Sequence, residues 1–290
     1  GSEMCIRDRD HYDVAASAQR QLEEAVVRLV EHHLETSGLR RLCLAGGVAL
    51  NCLLNQRLRE SNLVEALYVP PVCSDAGLAL GAAWVHAAAE GDRPGSLPHA
   101  YWGPEFSTAD IRVVLDRAGA DYRLVDDPVA AAAELITQER IIGWFQGRME
   151  FGPRALGSRT IIGDARSSEM QKTMNLKIKF RESFRPFAPS IRAENISDYF
   201  EIDRESPYML LVANVQKDKQ VKMSEEQNSY FGLEKLNVVR SEVPAVTHVD
   251  YSARIQSVNE QTNPRYHQML TKFNEKYGCS VIVNTSFNVR

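Results

Sequence analysis

Apolar residues recur at helical spacing through Val14, Ala18, Leu22, Val26, Leu29 and Val30, which predicts a long amphipathic helix capped by Asp13 and ending at Gly38. A short apolar run, Arg41 to Ala45, then reads as a buried strand, followed by Gly46-Gly47 and a helical stretch from Ala49 to Arg59. Glu65 to Val69 predicts a second strand, and Asp75 opens a helix of small residues, Ala76 to Ala89. Alternating helices and strands of this kind predict an α/β domain with helices packed on a sheet. Glycine and proline gather without periodicity between Gly91 and Pro104, so a linker belongs there.

Beyond the linker the pattern predicts helices at Thr108 to Ala118 and Val129 to Gln138, with strands at Tyr122 to Val125 and Ile141 to Phe145. Later strands are expected at Met209 to Val215, Ala245 to Val258 and Ser280 to Val283, while Lys217 to Arg240 reads as a polar surface insertion. In PAVTHVDYSARIQSV a period of two puts Val243, Ala245, Val249, Tyr251 and Ile255 on one face and His248, Asp250, Ser252, Arg254 and Gln256 on the other. A strand with one wet face and a strand lining a site both fit that pattern.

Both ends look foreign to the pattern. Gly1 to Arg9 has no periodicity, so residues 1–12 are read as a tag or junction segment. The chain stops at Arg290, just after a polar loop beginning Asn284-Thr285-Ser286, which is expected of a fragment. At 290 residues and 44% hydrophobic composition there is material for two domains. A net charge of −4 and a pI near 6.0 offer no global attraction to nucleic acid or anionic membrane. The five cysteines, Cys5, Cys43, Cys52, Cys73 and Cys279, form no CxxC pair, so reduced thiols in a cytoplasmic protein are the expectation.

Any basic site must therefore be local, and the run GRMEFGPRALGSR from Gly147 to Arg159 is the strongest candidate. It places Arg148, Arg154 and Arg159 among glycines and a proline directly after an apolar strand. Lys177, Lys179, Arg181 and Arg185 join them in KIKFRESFRPFAPS. Guanidinium groups bind phosphate and carboxylate oxygens in pairs, so such a cluster suits an oxyanion. Phe180, Phe184 and Phe187 alternate with the charges, which leaves a solvated basic face and a nucleic-acid surface open as well. Gly46-Gly47 stands where a strand meets a helix, as a phosphate-approaching loop or a simple tight connection. Asp75 is either a helix cap or a carboxylate for metal or nucleotide at a strand end.

Taken together, LCLAGGVALNC, SDAGLALGAAW, GWFQGRMEFGPRALGSR, KFRESFRPFAPS, VTHVDYSARIQ and NTSFNVR resemble the NodU/CmcH family of O-carbamoyltransferases. The resemblance implies an α/β fold: residues 13–98 as the C-terminal part of a Kae1-like, actin-like ATPase domain, and residues 99–290 as a YrdC-like domain with a mixed twisted sheet. It further implies activation of carbamoyl phosphate by ATP, with Mg2+, to carbamoyl-adenylate, then transfer to a hydroxyl of a small-molecule or glycan acceptor. An iron ion, Fe2+ or another divalent metal, would act as Lewis acid in the Kae1-like half, with no nucleic acid and no membrane as partner.

Carried onto this chain, Gly46, Gly47 and Asn51 would hold nucleotide and Asp75 would ligate the metal, its partners being an HxxxH pair upstream. Arg154, Arg159, Lys179 and Arg185 would be the catalytic cations. Arg148, Arg181, His248, Arg254, Asn284, Thr285 and Ser286 would help bind carbamoyl phosphate and ATP. Rival readings are a hydrogenase-maturation or tRNA threonylcarbamoyl-type enzyme, which the arginine motifs fit less well, and a non-catalytic RNA-binding module.

Overall fold

The computed structural model of the protein describes residues 2–93, 95–230 and 232–288, and the chain divides into two compact units, Gly1–Asp75 and Ala76–Arg290. In the first unit, helix α1 (Ser2–Ser37) leads to strand β1 (Arg41–Cys43), a 3₁₀ turn (Gly47–Leu50), helix α2 (Cys52–Glu60) and strand β2 (Ala66–Tyr68). β1 and β2 pair in parallel, with Leu42 opposite Leu67. Their helices share a small core in which Val30 of α1 meets Leu54 and Leu58 of α2; of the predicted apolar stripe Val30 is buried and Leu22 and Val26 are half-buried, whereas Val14, Ala18 and Leu29 are exposed. The expected start at Asp13 is corrected: α1 already runs through Asp13. No glycine or proline between Ser2 and Asp13 interrupts the helix.

The second unit begins with helix α3 (Leu78–Ala89), whose N-cap is Gly77; Asp75 lies earlier, in a separate 3₁₀ turn, and is not the cap. Helices α4 (Thr108–Arg117) and α5 (Pro128–Thr137) precede strands β3 (Ile142–Phe145) and β4 (Arg159–Asp164). Then come α6 (Met170–Thr173), which runs into a π-helical turn at Met174–Ile178, β5 (Ala188–Arg192), α7 (Ile196–Tyr199) and β6 (Leu211–Asn214). Short helices α8 (Glu225–Ser229) and α9 (Leu233–Leu236) occupy the polar insertion before β7 (Ser252–Val258), α10 (Pro264–Tyr277) and β8 (Val281–Ser286).

Six of these strands form one mixed sheet in the order β3-β4-β8-β5-β7-β6. Only β5 and β7 run parallel; the other neighbours are antiparallel. Helices α5 and α10 pack against each other and against β4, β5 and β8. Each starts in the same way: Asp127 or Asn263 accepts a bond from the first turn and a proline follows at the first helical position. Tyr266, Met269, Leu270 and Phe273 of α10 are fully buried, and Met269, Leu270 and Phe273 each contribute about 1.5–3 kcal/mol of hydrophobic stabilisation.

Several expectations change. Residues 122–125 form no strand; Leu124 is exposed and the Tyr122 hydroxyl turns back to Asp116. The strand expected at 245–258 begins only at Ser252. Pro244–Val246 is a 3₁₀ turn, Tyr251 has φ of +67°, and the Asp250 carboxylate accepts from the Ser252 N–H, which folds the segment into a turn. β4, β5 and α10 have no counterpart among the elements the pattern predicts. Within the polar insertion Arg240 is buried, its guanidinium donating to the carbonyls of Lys235, Val238, Thr247 and His248. No described helix is long and apolar enough to cross a membrane.

Candidate functional site

The run from Gly147 to Arg159 proves to be the long connection of a hairpin: it leaves β3 at Phe145 and enters β4 at Arg159, and those two residues pair across the ladder. Three of its glycines, Gly147, Gly152 and Gly157, have φ of +54°, +130° and +101°, a region closed to most side chains. At Gly157 a Cβ would also lie 2.2 Å from the Tyr266 ring. The loop is thus pressed onto α10 as closely as glycine allows.

Its interior is fixed by polar groups from distant strands. The Leu156 carbonyl accepts from Tyr101 Oη at 2.9 Å and from Gln256 Nε2 at 2.8 Å. The Ala155 carbonyl accepts from Asn284 Nδ2 at 3.0 Å, while Asn284 also reaches Ser190 Oγ and Gln256 Oε1 and accepts from Thr160 Oγ1. Asn284, Thr160, Ser190 and Gln256 are all buried, so each depends on these bonds in place of water.

This scaffold opens a cavity of about 160 Å3 in the second unit. Arg154 comes from the loop, Arg181 from the turn after the π segment, Arg254 from β7, and Asn284, Thr285 and Ser286 from β8; Pro186, Phe187 and Met209 line the remainder. Three arginines line it, and no carboxylate does among the described residues. The Arg154 Nε–H is buried without a hydrogen-bond partner. An unmet guanidinium donor in a polar, cationic cavity is a strong demand for an anion. Arg181 is oriented from behind: its Nε donates to Asn175 Oδ1 at 2.7 Å and its guanidinium lies over the Phe187 ring at 5.0 Å. Burial, and then the charge of Arg185, lower its pKa.

Other expected residues take different places. Arg159 donates through both Nη atoms to the carbonyls of Gln146, Gly147, Ser158 and Pro104, with its guanidinium 3.6 Å from the Phe145 ring centroid. It ties the two ends of the loop together. Lys179 is buried, and its ammonium donates to the Ser286 carbonyl and Oγ and to the carbonyl and Oδ1 of Asn288; burial, with Arg181 adding, pushes it down to about 8. Arg148 faces Glu105 at 3.8 Å and Arg185 pairs with Glu182 at 2.9 Å, both at the surface. His248 binds Ser252 Oγ at 3.0 Å, and burial lowers its pKa, opposed by Asp250. Lys177 is exposed, whereas Phe187 is buried, so the basic-aromatic run presents no continuous face.

In the first unit the Gly46 N–H donates to the Cys73 carbonyl at 2.6 Å, which brings the Gly46-Gly47 turn beside the segment that ends in Asp75. Asn51 caps α2 through Oδ1 and exchanges bonds with Gln19. Asp75 is exposed. Among the described residues no three His, Cys, Asp or Glu side chains come together. One carboxylate does not make an iron site, and no catalytic step through a metal follows from these residues.

Asn175 and Asn288 are neighbours of the candidate site that the sequence does not announce, and Gln256 is legible only as one polar position on an alternating face. Glu150 alone carries a stronger signal, as the sole acid inside an arginine-rich loop.

Sequence profiles of known families match this architecture at both ends: Carbamoyltransferase N-terminus over residues 3–84 and Carbamoyltransferase C-terminus over residues 133–290. The chain belongs to the carbamoyltransferase family. Among curated relatives of this carbamoyltransferase chain, protein sll1178 of Synechocystis is 50% identical over 96% of the chain and 47% of its own length. Nodulation protein NolO of Bradyrhizobium diazoefficiens is 39% identical over 97% of the chain and 49% of its own length. The 3'-hydroxymethylcephem-O-carbamoyltransferase of Streptomyces clavuligerus is 34% identical over 85% of the chain and 42% of its own length. The chain spans about half the length of the curated relatives it matches. The C-terminal family match contains every residue lining the arginine cavity.

Proposed function

We propose that this chain is the donor-binding part of an O-carbamoyltransferase, and that the cavity of Arg154, Arg181 and Arg254 holds the phosphate groups of carbamoyl phosphate and ATP. The observation that carries the reading is a cavity lined by three arginines and, among the described residues, by no carboxylate, with one arginine holding a buried, unpartnered N–H. Two multiply charged anions repel one another in water. Fixed guanidinium groups lower that repulsion while water cleaves carbamoyl phosphate to carbamate and inorganic phosphate. They also stabilise the charge that develops as the carbamate oxygen attacks the α-phosphorus of ATP, forming carbamoyl-adenylate and releasing pyrophosphate. Because these donors are already oriented, little reorganisation accompanies the reaction.

In this reading residues 99–290 act as a YrdC-like activating domain, which its mixed sheet supports, and residues 13–98 belong to a Kae1-like transfer domain, which its strand-helix alternation supports. Asp75 and the Gly46-Gly47 turn would serve nucleotide or a divalent metal such as iron in that second site. A metal there needs ligands beyond those the described residues bring together. The carbamoyl group would pass to a hydroxyl on a small molecule or glycan; the name of the 3'-hydroxymethylcephem-O-carbamoyltransferase gives a small molecule with such a hydroxyl.

The test is exchange of labelled pyrophosphate into ATP by the full-length protein, with calorimetric titration of this chain alongside. Expected are exchange that requires carbamoyl phosphate and saturable binding of both anions by the chain. Exchange indifferent to carbamoyl phosphate would overturn the reading. So would a chain that ignores both anions yet binds RNA with steep salt dependence.

A further inference from the structure

We infer that Glu150 is a positioning residue for the anion site, holding Arg154 in the cavity through the loop backbone; the inference rests on the function proposed above. Glu150 is 6% exposed, and its Oε1 accepts from the backbone N–H groups of Leu156, Ser158 and Arg159 at 2.8, 2.6 and 3.1 Å. The first of these bonds closes a ring of backbone around residues 151–155, with Arg154 inside it. From the other side, the carbonyls of Ala155 and Leu156 are held by Asn284 and Gln256. Donors and acceptors of the same short segment are therefore fixed from opposite directions.

A buried acid in an arginine-rich loop would ordinarily pair with one of its arginines. Here Glu150 does not line the cavity, and the oxygen that accepts is committed to amides that carry no formal charge. Its carboxylate shapes the loop without occupying the anion's place. Carboxylate-to-amide bonds are stronger than neutral ones, so a glutamine of the same size would hold the three N–H groups less firmly and let Arg154 swing.

The experiment compares the 290-residue chain with Glu150→Gln, Arg154→Ala, the double variant, and Ile136→Val, a fully buried α5 position away from the cavity that lowers stability alone. Affinity for inorganic phosphate is measured by calorimetry below the melting temperature of every variant. Amide hydrogen exchange at Leu156 and Ser158 is followed in parallel. Glu150→Gln is expected to weaken phosphate binding on the order of tenfold, about 1.4 kcal/mol, and to speed exchange at those two amides while the sheet stays protected. In the Arg154→Ala background the same change should cost no further affinity, because its effect passes through Arg154. Ile136→Val should leave affinity unchanged. Unaltered affinity in Glu150→Gln, additive losses in the double variant, or unchanged exchange at Leu156 and Ser158 would each overturn the inference. A parent chain that binds neither phosphate nor carbamoyl phosphate would instead sink the proposed function, and the exchange arm would still decide whether Glu150 holds the loop.

Discussion

Replacing Arg154 by methionine should make the ligand-free chain more stable while removing most of its affinity for phosphate. The two effects share a cause. In the free chain the Arg154 Nε–H is buried with no partner, and Arg181 and Arg254 line the same cavity. An unmet buried donor costs about 1–3 kcal/mol. Methionine keeps much of the aliphatic stem and its packing but removes the orphan donor and one of three like charges. At about 2–4 °C per kcal/mol for a domain of this size, the melting temperature should rise by roughly 2–12 °C.

Binding moves the other way. A charge-assisted hydrogen bond contributes about 1.5–3 kcal/mol, so losing one guanidinium should weaken phosphate binding by roughly 10- to 150-fold. Thermal melts with and without phosphate read both effects at once. The parent should gain melting temperature on adding phosphate, by linkage of binding to folding, and Arg154→Met should start higher and gain little. A variant that melts lower than the parent and still responds fully to phosphate would refute the reasoning, for it would make Arg154 a structural group.

Lys179 supplies a pH test. Its ammonium, pushed down to about 8 by burial with Arg181 adding, is charged below that pH and neutral above it. Affinity for sulfate, whose own charge is constant over the range, should fall as pH rises through about 8, and the fall should vanish in Lys179→Arg. For folding the sign reverses: an unfolded lysine stays protonated to about 10.4, so between the two values the unfolded chain holds more protons and stability rises with pH. Urea melts on either side of that window check the second statement; a flat profile would contradict it. Gly157→Ala should destabilise by about 2–4 kcal/mol, because it combines a disfavoured positive φ with a Cβ pressed into the Tyr266 ring. The readout is a lowered urea midpoint at unchanged slope, and a loss under about 1 kcal/mol would show that the loop shifts freely.

The strand leading into the glycine-arginine loop is legible because Ile141 to Phe145 is apolar and glycines follow at once. The gathering of Arg154, Arg181, Arg254 and Asn284 is not, since it depends on the strand order that places β8 between β4 and β5. β5 is hidden by Pro189, which argues against an inner strand. β4 is absorbed into the motif that ends at its first residue. α10 has readable ends, for Asn263-Pro264 opens it and Gly278, at φ of +66°, closes it. Arg159 shows the limit of motif reading: a guanidinium facing a ligand and one facing its own backbone are the same letter in a sequence. The period-two pattern misleads because polar alternation continues across the turn that Asp250 builds.

A chain with a net charge of −4 has acids to spare, so a cavity lined by three arginines and, among the described residues, by no carboxylate needs a structural reason. The nearby acids are each engaged elsewhere. Glu150 accepts from loop amides, Glu182 pairs with Arg185, and Glu105 faces Arg148. Arg148 and Arg185 thus meet carboxylates at the surface, while Arg159 fixes the loop ends and Lys179 holds Ser286. Arg154 and Arg181 of the two motifs line the cavity, whereas Arg148, Arg159, Lys179 and Arg185 meet the protein's own carboxylates and carbonyls. Stability is given up at Arg154 for this arrangement, which is why its replacement separates stability from binding more cleanly than a change at any of the paired arginines.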